Sequence, residues 1–215
     1  MKPLFRFLYA VVRRLRIIDV TQFLHLPQGN TLSVACPHEF TVRTVNENEL
    51  ATLTKSNLID PMVGDASRLR HPRRALIAVF SGEQVVSFLW LANEAVDSRD
   101  NYSRSEHLGT SINMPDGTVF IYNAWTSPEH RGKRLIAAMV SWGLHNRVLG
   151  AHACLTMIDC TNDRSIRAFE HLGMQRLGWT TRIGCGRFQF SIVPSKAKRF
   201  GLKIADSAPG VKLAW

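Results

Sequence analysis

No two cysteines in this chain have the C-x-x-C spacing. Cys36, Cys154, Cys160 and Cys185 are scattered, so neither a zinc ribbon nor a redox dithiol motif is indicated. None of the eight histidines belongs to an H-E-x-x-H pair, and the sequence points to no metal site. No apolar run reaches the ~20 residues that a membrane-crossing helix needs. The N-terminal apolar stretch is interrupted by Arg6 and followed by Arg13 and Arg14, with no small-x-small cleavage site. That argues against a signal peptide and for a cytoplasmic protein. Internal repeats and low-complexity tracts are missing. So is the basic–aromatic interleaving of a recognisable nucleic-acid module, which leaves nucleic-acid binding through the basic ends as the third and least favoured function class.

Acids are also missing from one end. Residues 1–18 carry Lys2, Arg6, Arg13, Arg14 and Arg16 and no acid, a charge of +5; residues 195–215 carry +4. The whole chain is +10, which leaves about +1 for the middle. Basic ends on a neutral body suit an anionic partner: a membrane surface, nucleic acid or an acidic protein. On a helical wheel Leu4, Leu8, Val11, Val12 and Leu15 share one face, and Lys2, Arg6 and Arg13 fall on another. This fits an interfacial helix or a helix packed on the domain. The expected organisation is a basic amphipathic segment over 1–38, a catalytic-size domain over 39–194 and a basic tail over 195–215.

The body alternates strand and helix signals. EFTVRT (39–44) alternates as a strand, and Asn46 or Asn48 is placed to cap the helix that follows. ALIAVF and VVSFLWLA flank Ser81-Gly82 as a hairpin. Residues 94–116 are polar and read as one long loop, which with residues 56–72 is expected to shape a substrate pocket. TVFIYNAW (118–125) is a strand, followed by a helix to about Leu149. ACLTMIDC is a buried strand, NDRSIRAFEHLG a helix closed by Gly173, and MQRLGWTTRI with RFQFSIV a closing strand pair. The order predicts an α/β (α+β mixed) fold, a central mixed β-sheet flanked by helices.

The stretch TSPEHRGKRLIAAMV (126–140) sets turn-forming, basic, Gly-containing chemistry directly against a helix start. A helix N-terminus offers unpaired N–H groups and the positive end of the dipole. A loop entering it cradles phosphate, and Arg or Lys adds charge.

That element order, with two of its segments, resembles the GNAT superfamily of acyl-CoA-dependent acetyltransferases over roughly residues 39–194. In that family a strand ends at an Arg/Gln-x-x-Gly-x-Gly/Ala loop that cradles the coenzyme A pyrophosphate. The corresponding residues here are Arg131, Gly132, Lys133, Arg134, Leu135 and Ile136, with both small positions changed to Arg134 and Ile136. NDRSIRAFEHLGM (162–174) is similar to the family's Asn-x-x-Ala-x-x-x-Tyr-x-x-x-Gly-Phe helix. Asn162 fits, and Phe169 stands in the place of a Tyr that in many members protonates the departing thiolate. The resemblance implies main-chain groups of Ala124, Trp125 and Thr126 facing the pantetheine arm, where two neighbouring strands splay apart. It implies acetyl-CoA or another acyl-CoA as donor. An acyl carrier protein thioester is the alternative, since it presents one phosphate on an acidic surface. The acceptor is expected to be a small-molecule or protein amine.

On TVFIYNAWT strict alternation puts Phe120, Tyr122, Ala124 and Thr126 on one face. Tyr122 is therefore the first candidate for handling a proton, with Glu94, His107 and Glu129 behind it. Two readings stand side by side. One is an N-acyltransferase. The other is a binding or regulatory module with the same fold and impaired catalysis, which Phe169 and Ile136 permit.

Overall fold

The computed structural model describes residues 8–9, 11–30, 33–103, 106–185, 188–198, 203–206 and 212–213. In chain order the strands are β1 (Ile18–Leu26), β2 (Thr41–Val45), β3 (Arg74–Ser81), β4 (Gln84–Asn93), β5 (Ala95–Val96), β6 (Thr110–Asn113), β7 (Thr118–Thr126), β8 (Ala153–Asp159), β9 (Gln175–Cys185), β10 (Phe188–Ile192), β11 (Lys203–Asp206) and β12 (Lys212–Leu213). The helices are α1 (Glu47–Lys55), α2 (Leu135–His145), α3 (Asp163–His171) and the short α4 (Ser195–Lys198). The chain divides into two compact units, described in turn.

The first unit comprises residues 26–93 and 117–154. Its strands run β7-β4-β3-β2, and all their pairings are antiparallel. The runs ALIAVF and VVSFLWLA are buried along their whole length, so they read as continuous apolar stretches. Asn46 caps α1, its Oδ1 accepting from Glu49 N at 2.9 Å, as the cap preference of Asn predicts. Leu50 and Leu53 are the buried face of that helix. Helix α2 buries Leu135, Ala138, Met139, Val140 and Gly143. A Cβ on Gly143 would lie 2.7 Å from Ile77 Cδ1, so glycine lets α2 close on β3. The helix ends at His145, short of the expected Leu149. Arg147 and Leu149 adopt left-handed backbone (φ 49° and 57°), which breaks the ladder where apolar periodicity alone would continue it.

The second unit comprises residues 1–25, 94–116 and 155–215. Its strands run β10-β9-β1-β8, with a small sheet β12-β11-β6-β5 beside it. Three findings differ from the sequence expectation. Strand β1, inside the expected N-terminal segment, pairs antiparallel with β9 from Ile18↔Ile183 to His25↔Gln175. Strand β11, inside the expected tail, pairs with β6. The expected long loop 94–116 contains β5, β6 and a 3-10 turn at Glu106–Leu108. The physical reason for missing β1 is its composition. Asp19, Thr21, Gln22 and His25 are polar yet buried, so β1 shows neither alternation nor an apolar run.

Those buried polar groups are held by specific partners. Gln22 Nε2 donates to Gly178 O at 2.7 Å. Tyr9, itself buried, accepts from Val20 N at 2.9 Å and donates to Asp19 Oδ1 at 3.3 Å. Ser103 Oγ donates to Asp159 Oδ2 at 2.8 Å. Burial, and after it the Asp159 charge, pushes the Asp19 carboxyl up to about 6, against hydrogen bonds from Tyr9 and Ser103. A raised folded value means that the fold holds this proton more tightly than the unfolded chain does. Stability from this group is therefore full at low pH and is lost as pH rises from 3.8 to about 6. The loss is on the order of 3 kcal/mol. Asp19→Asn keeps an acceptor for Tyr9 and removes the ionisation. Urea unfolding at closely spaced pH values should show the variant gaining on the wild type steadily across that window. A difference that is constant with pH would remove Asp19 from the account.

Candidate functional site

The site expected from sequence begins where β7 leaves its partner. Phe88 pairs with Trp125 and Trp90 with Tyr122, so Leu89 faces two residues, Asn123 and Ala124. This is a β-bulge. Asn123 takes the left-handed conformation (φ 46°), which Asn tolerates better than most residues. Its Nδ2 donates to Met62 O at 2.7 Å, and Trp90 Nε1 donates to Val63 O at 2.9 Å. The turn at Pro61–Val63 is thereby tied to the strand at the bulge.

The bulge corrects the face assignment. Strict alternation groups Tyr122 with Ala124 and Thr126. The extra residue instead puts Trp125 on the face of Tyr122, opposite Phe88 and Trp90, and Thr126 opposite Ser87. Ring contacts agree: Phe88 stacks on Trp125 at 5.4 Å and Trp90 on Tyr122 at 6.1 Å. Tyr122 is buried, and the Arg74 guanidinium lies 6.0 Å from its ring centre. Ala124 is exposed. The Trp125 carbonyl, expected to face a pantetheine arm, accepts from Ser87 Oγ at 2.8 Å, and that hydroxyl also meets Thr126 Oγ1 at 2.7 Å.

Beyond Thr126 the backbone makes a 3-10 turn, Pro128–His130. Ser127 Oγ and His130 Nδ1 are 2.7 Å apart, and His130 meets Phe40 edge-on. Arg131 Nε donates to Thr126 O at 3.2 Å, drawing the loop back on the strand end. Gly132 and Arg134 are both left-handed (φ 87° and 59°). Arg134 is the N-cap residue of α2 and makes no side-chain cap bond. The backbone ladder of α2 begins with Ala138 N to Arg134 O at 3.0 Å, so the N–H groups of Leu135, Ile136 and Ala137 precede it. Arg131, Lys133 and Arg134 are exposed around this end, Lys133 lying 3.8 Å from Glu39. Leu135 is buried and Ile136 half-buried. The result is an uncapped, positively charged helix start entered through left-handed backbone, which suits an anion such as phosphate.

Asn162 and Phe169 belong to the second unit. Asn162 caps α3, its Oδ1 accepting from Ser165 N at 3.1 Å, and Phe169 is buried. Glu94 and His107 are exposed in that unit, and Glu129 is exposed in the 3-10 turn of the first. Sequence reading missed Asn123 and Ser87; it expected residues 56–72 at the pocket but not the tie of the Pro61–Val63 turn to β7. The one signal available was Asn123 itself, an αL-tolerant residue in an otherwise apolar strand. Among the described residues no cluster of three or more metal-ligating side chains forms.

No protein-family model matches the sequence, and no curated protein matches it. Among solved structures the chain is similar to a GCN5-related N-acetyltransferase from Kribbella flavida, at 15% identity and TM-score 0.52, over 82% of this chain and 63% of that one. It is also similar to a functionally unknown conserved protein from Staphylococcus epidermidis (12%, TM-score 0.48, 80% and 65%) and to a GCN5-related N-acetyltransferase-like protein from Streptococcus suis (12%, TM-score 0.44, 80% and 65%). Of these three the first carries the assignment, and at that identity it assigns the fold: the mixed α/β GNAT fold expected from the element order. The chain spans less than two thirds of the length of each.

Gly132 has nothing within 4 Å of where a Cβ would stand. Gly132→Ala therefore meets backbone strain alone and should cost about 1–2 kcal/mol. Denaturant unfolding measures it. A neutral effect would mean that the loop does not need left-handed backbone at this point.

Proposed function

We propose that this chain is an N-acyltransferase that moves an acyl group from a pantetheine thioester, acetyl-CoA or another acyl-CoA, to an amine. The observation that carries the reading is the start of α2. Directly after a bulged strand, the backbone turns through Gly132 and Arg134 and presents uncapped N–H groups, with Arg131, Lys133 and Arg134 exposed around them. These residues fit a pyrophosphate. The N–H groups of 135–137 donate to its oxygens, and the exposed cations offset its charge. The half-buried Ile136 narrows the approach relative to a small residue, and its neighbour Arg134 adds a cation there.

The thioester supplies an activated acyl carbon. In the transfer the acceptor nitrogen forms a bond to that carbon and the carbon–sulfur bond breaks. The nitrogen loses a proton and the sulfur leaves as thiolate, which takes one up. Phe169 offers no proton. Tyr122, whose ring lies near Trp90 and the Arg74 guanidinium, is the hydroxyl that we assign to proton handling. Asn162 and Phe169 are assigned to donor binding on the strength of the family motif alone. A carrier-protein thioester is the second donor to test, since the exposed Arg131–Arg134 loop suits a single phosphate as well. The acceptor is an amine, on a small molecule or a protein.

Isothermal titration with acetyl-CoA and a thiol-release assay test this. Arg131→Glu should weaken acetyl-CoA binding about tenfold or more, by setting a carboxylate against phosphate. Tyr122→Phe should leave donor affinity unchanged and lower turnover about 100-fold. Unaltered binding in the first variant moves the phosphate site elsewhere. Full turnover in the second removes Tyr122 from the chemistry. Binding without turnover in the wild type, across amine acceptors, assigns the chain to the non-catalytic reading.

A further inference from the structure

Ten large hydrophobic side chains are exposed among the described residues, and eight of them lie in residues 8–17 and 183–192. Leu8, Val11, Leu15, Phe190 and Ile192 are each more than half exposed, and Val12, Ile17 and Ile183 more than a third. All eight belong to the second unit. The strand register gathers the sheet members. Ile183 stands opposite Phe190 on β10 and opposite Ile18 on β1, and directly opposed residues share a face. Ile192 follows Phe190 by two positions and shares that face too. Val20 lies on it as well, two residues from Ile18. Buried Tyr9 packs on Val20 and Cys160, with Ile18 beside them. The helical residues Leu8, Tyr9, Val11 and Val12 therefore lie along the same sheet face as Phe190. Beyond β9, β10 is the outer strand of its order.

The stretches of sequence that carry this face are charged with one sign. Residues 1–18 hold five Lys or Arg and residues 171–205 hold seven, and neither stretch contains an acid. Arg176 pairs with Glu170, and Arg182 is buried. Arg14, Arg16 and Lys196 are exposed. Asp19, the first acid after the N-terminal stretch, is buried. A large exposed apolar patch marks an interaction site. Arginines interspersed with apolar side chains in a short helical stretch are the arrangement that lies in a lipid interface, apolar groups among acyl chains and cations at headgroups.

We propose that this face, Ile183, Phe190 and Ile192 together with Leu8, Val11, Val12 and Leu15, docks on an anionic lipid surface. A second copy of the chain is disfavoured, because it would bring the same basic stretches against themselves.

The test floats the full-length protein with vesicles of phosphatidylcholine alone and of three parts phosphatidylcholine to one part phosphatidylglycerol, at low and high salt. Binding should be confined to the anionic vesicles and should weaken at high salt. Removing one arginine from the interface should cost about fivefold, so Arg14→Glu with Arg16→Glu should cost 25-fold or more. Phe190→Ser with Ile192→Ser should cost about tenfold at either salt. These positions are exposed, and an unchanged thermal melt confirms that the variants fold. Equal binding to neutral vesicles, no binding to anionic ones, or wild-type binding in both double variants overturns the proposal. Light scattering adds one more overturning result: a dimer that Phe190→Ser with Ile192→Ser splits, with vesicle binding untouched, gives the face to a second copy. Capture of a purified acyl carrier protein without vesicle binding gives it to that partner instead.

Discussion

Leu89 faces two residues where one would continue the ladder, and the first unit's candidate site follows from that mismatch. The extra residue turns Trp125 onto the face of Tyr122, where Phe88 and Trp90 receive the two rings. It sets Thr126 opposite Ser87, whose hydroxyl ties down the Trp125 carbonyl. Asn123, freed from pairing, reaches the Met62 carbonyl and holds the Pro61–Val63 turn. A strand without the bulge would be out of register by one residue beyond this point. Every later side chain would then point to the other face, and the loop into α2 would start from the wrong side of the sheet.

The bulge is one of three left-handed positions within twelve residues: Asn123, Gly132 and Arg134. Only glycine takes that backbone freely. For Arg134 the conformation costs about 1–2 kcal/mol. The packing of α2 more than offsets this. Leu135, Met139 and Val140 are each almost wholly buried, and each buried side chain contributes about 1.5–3 kcal/mol. Gly143 lets that packing close tightly on Ile77. The helix core thus holds its own strained entrance, and that entrance is what leaves the first N–H groups uncapped.

The regular parts of this unit were legible in sequence for a plain reason. ALIAVF, VVSFLWLA and the first half of TVFIYNAW are apolar because both faces are covered, and Asn46 caps α1 because its side chain reaches Glu49 N. The loop 131–136 was legible as a helix entrance from Gly132 and the cations. The bulge was not, because alternation counts residues and cannot see one left out of the ladder. Strand β1 was not legible either. Asp19, Thr21, Gln22 and His25 look like surface residues, and only partners distant in sequence, such as Gly178 for Gln22, make them interior. Polar β6 and β11 hide for a similar reason: TSIN and KIAD are too short to show a period.

The pairing of β1 with β9 also explains a charge pattern that composition alone presents as two basic ends. Ile18 stands opposite Ile183, so the described parts of two stretches that are acid-free in sequence, 1–18 and 171–205, pair in one unit though they are far apart in the chain. Acids do lie close by, but they are spent inside. Asp19 is buried beside Asp159, and burial favours its protonated form; Glu170 is taken up by Arg176. Neither of these two carboxylates is left over to offset the exposed Arg14, Arg16 and Lys196. Like charges gathered on one face repel and disfavour the compact state. The same strand pair that buries Asp19 thus joins two basic stretches whose mutual repulsion is lowered by anions from outside the chain, whether salt or a charged partner.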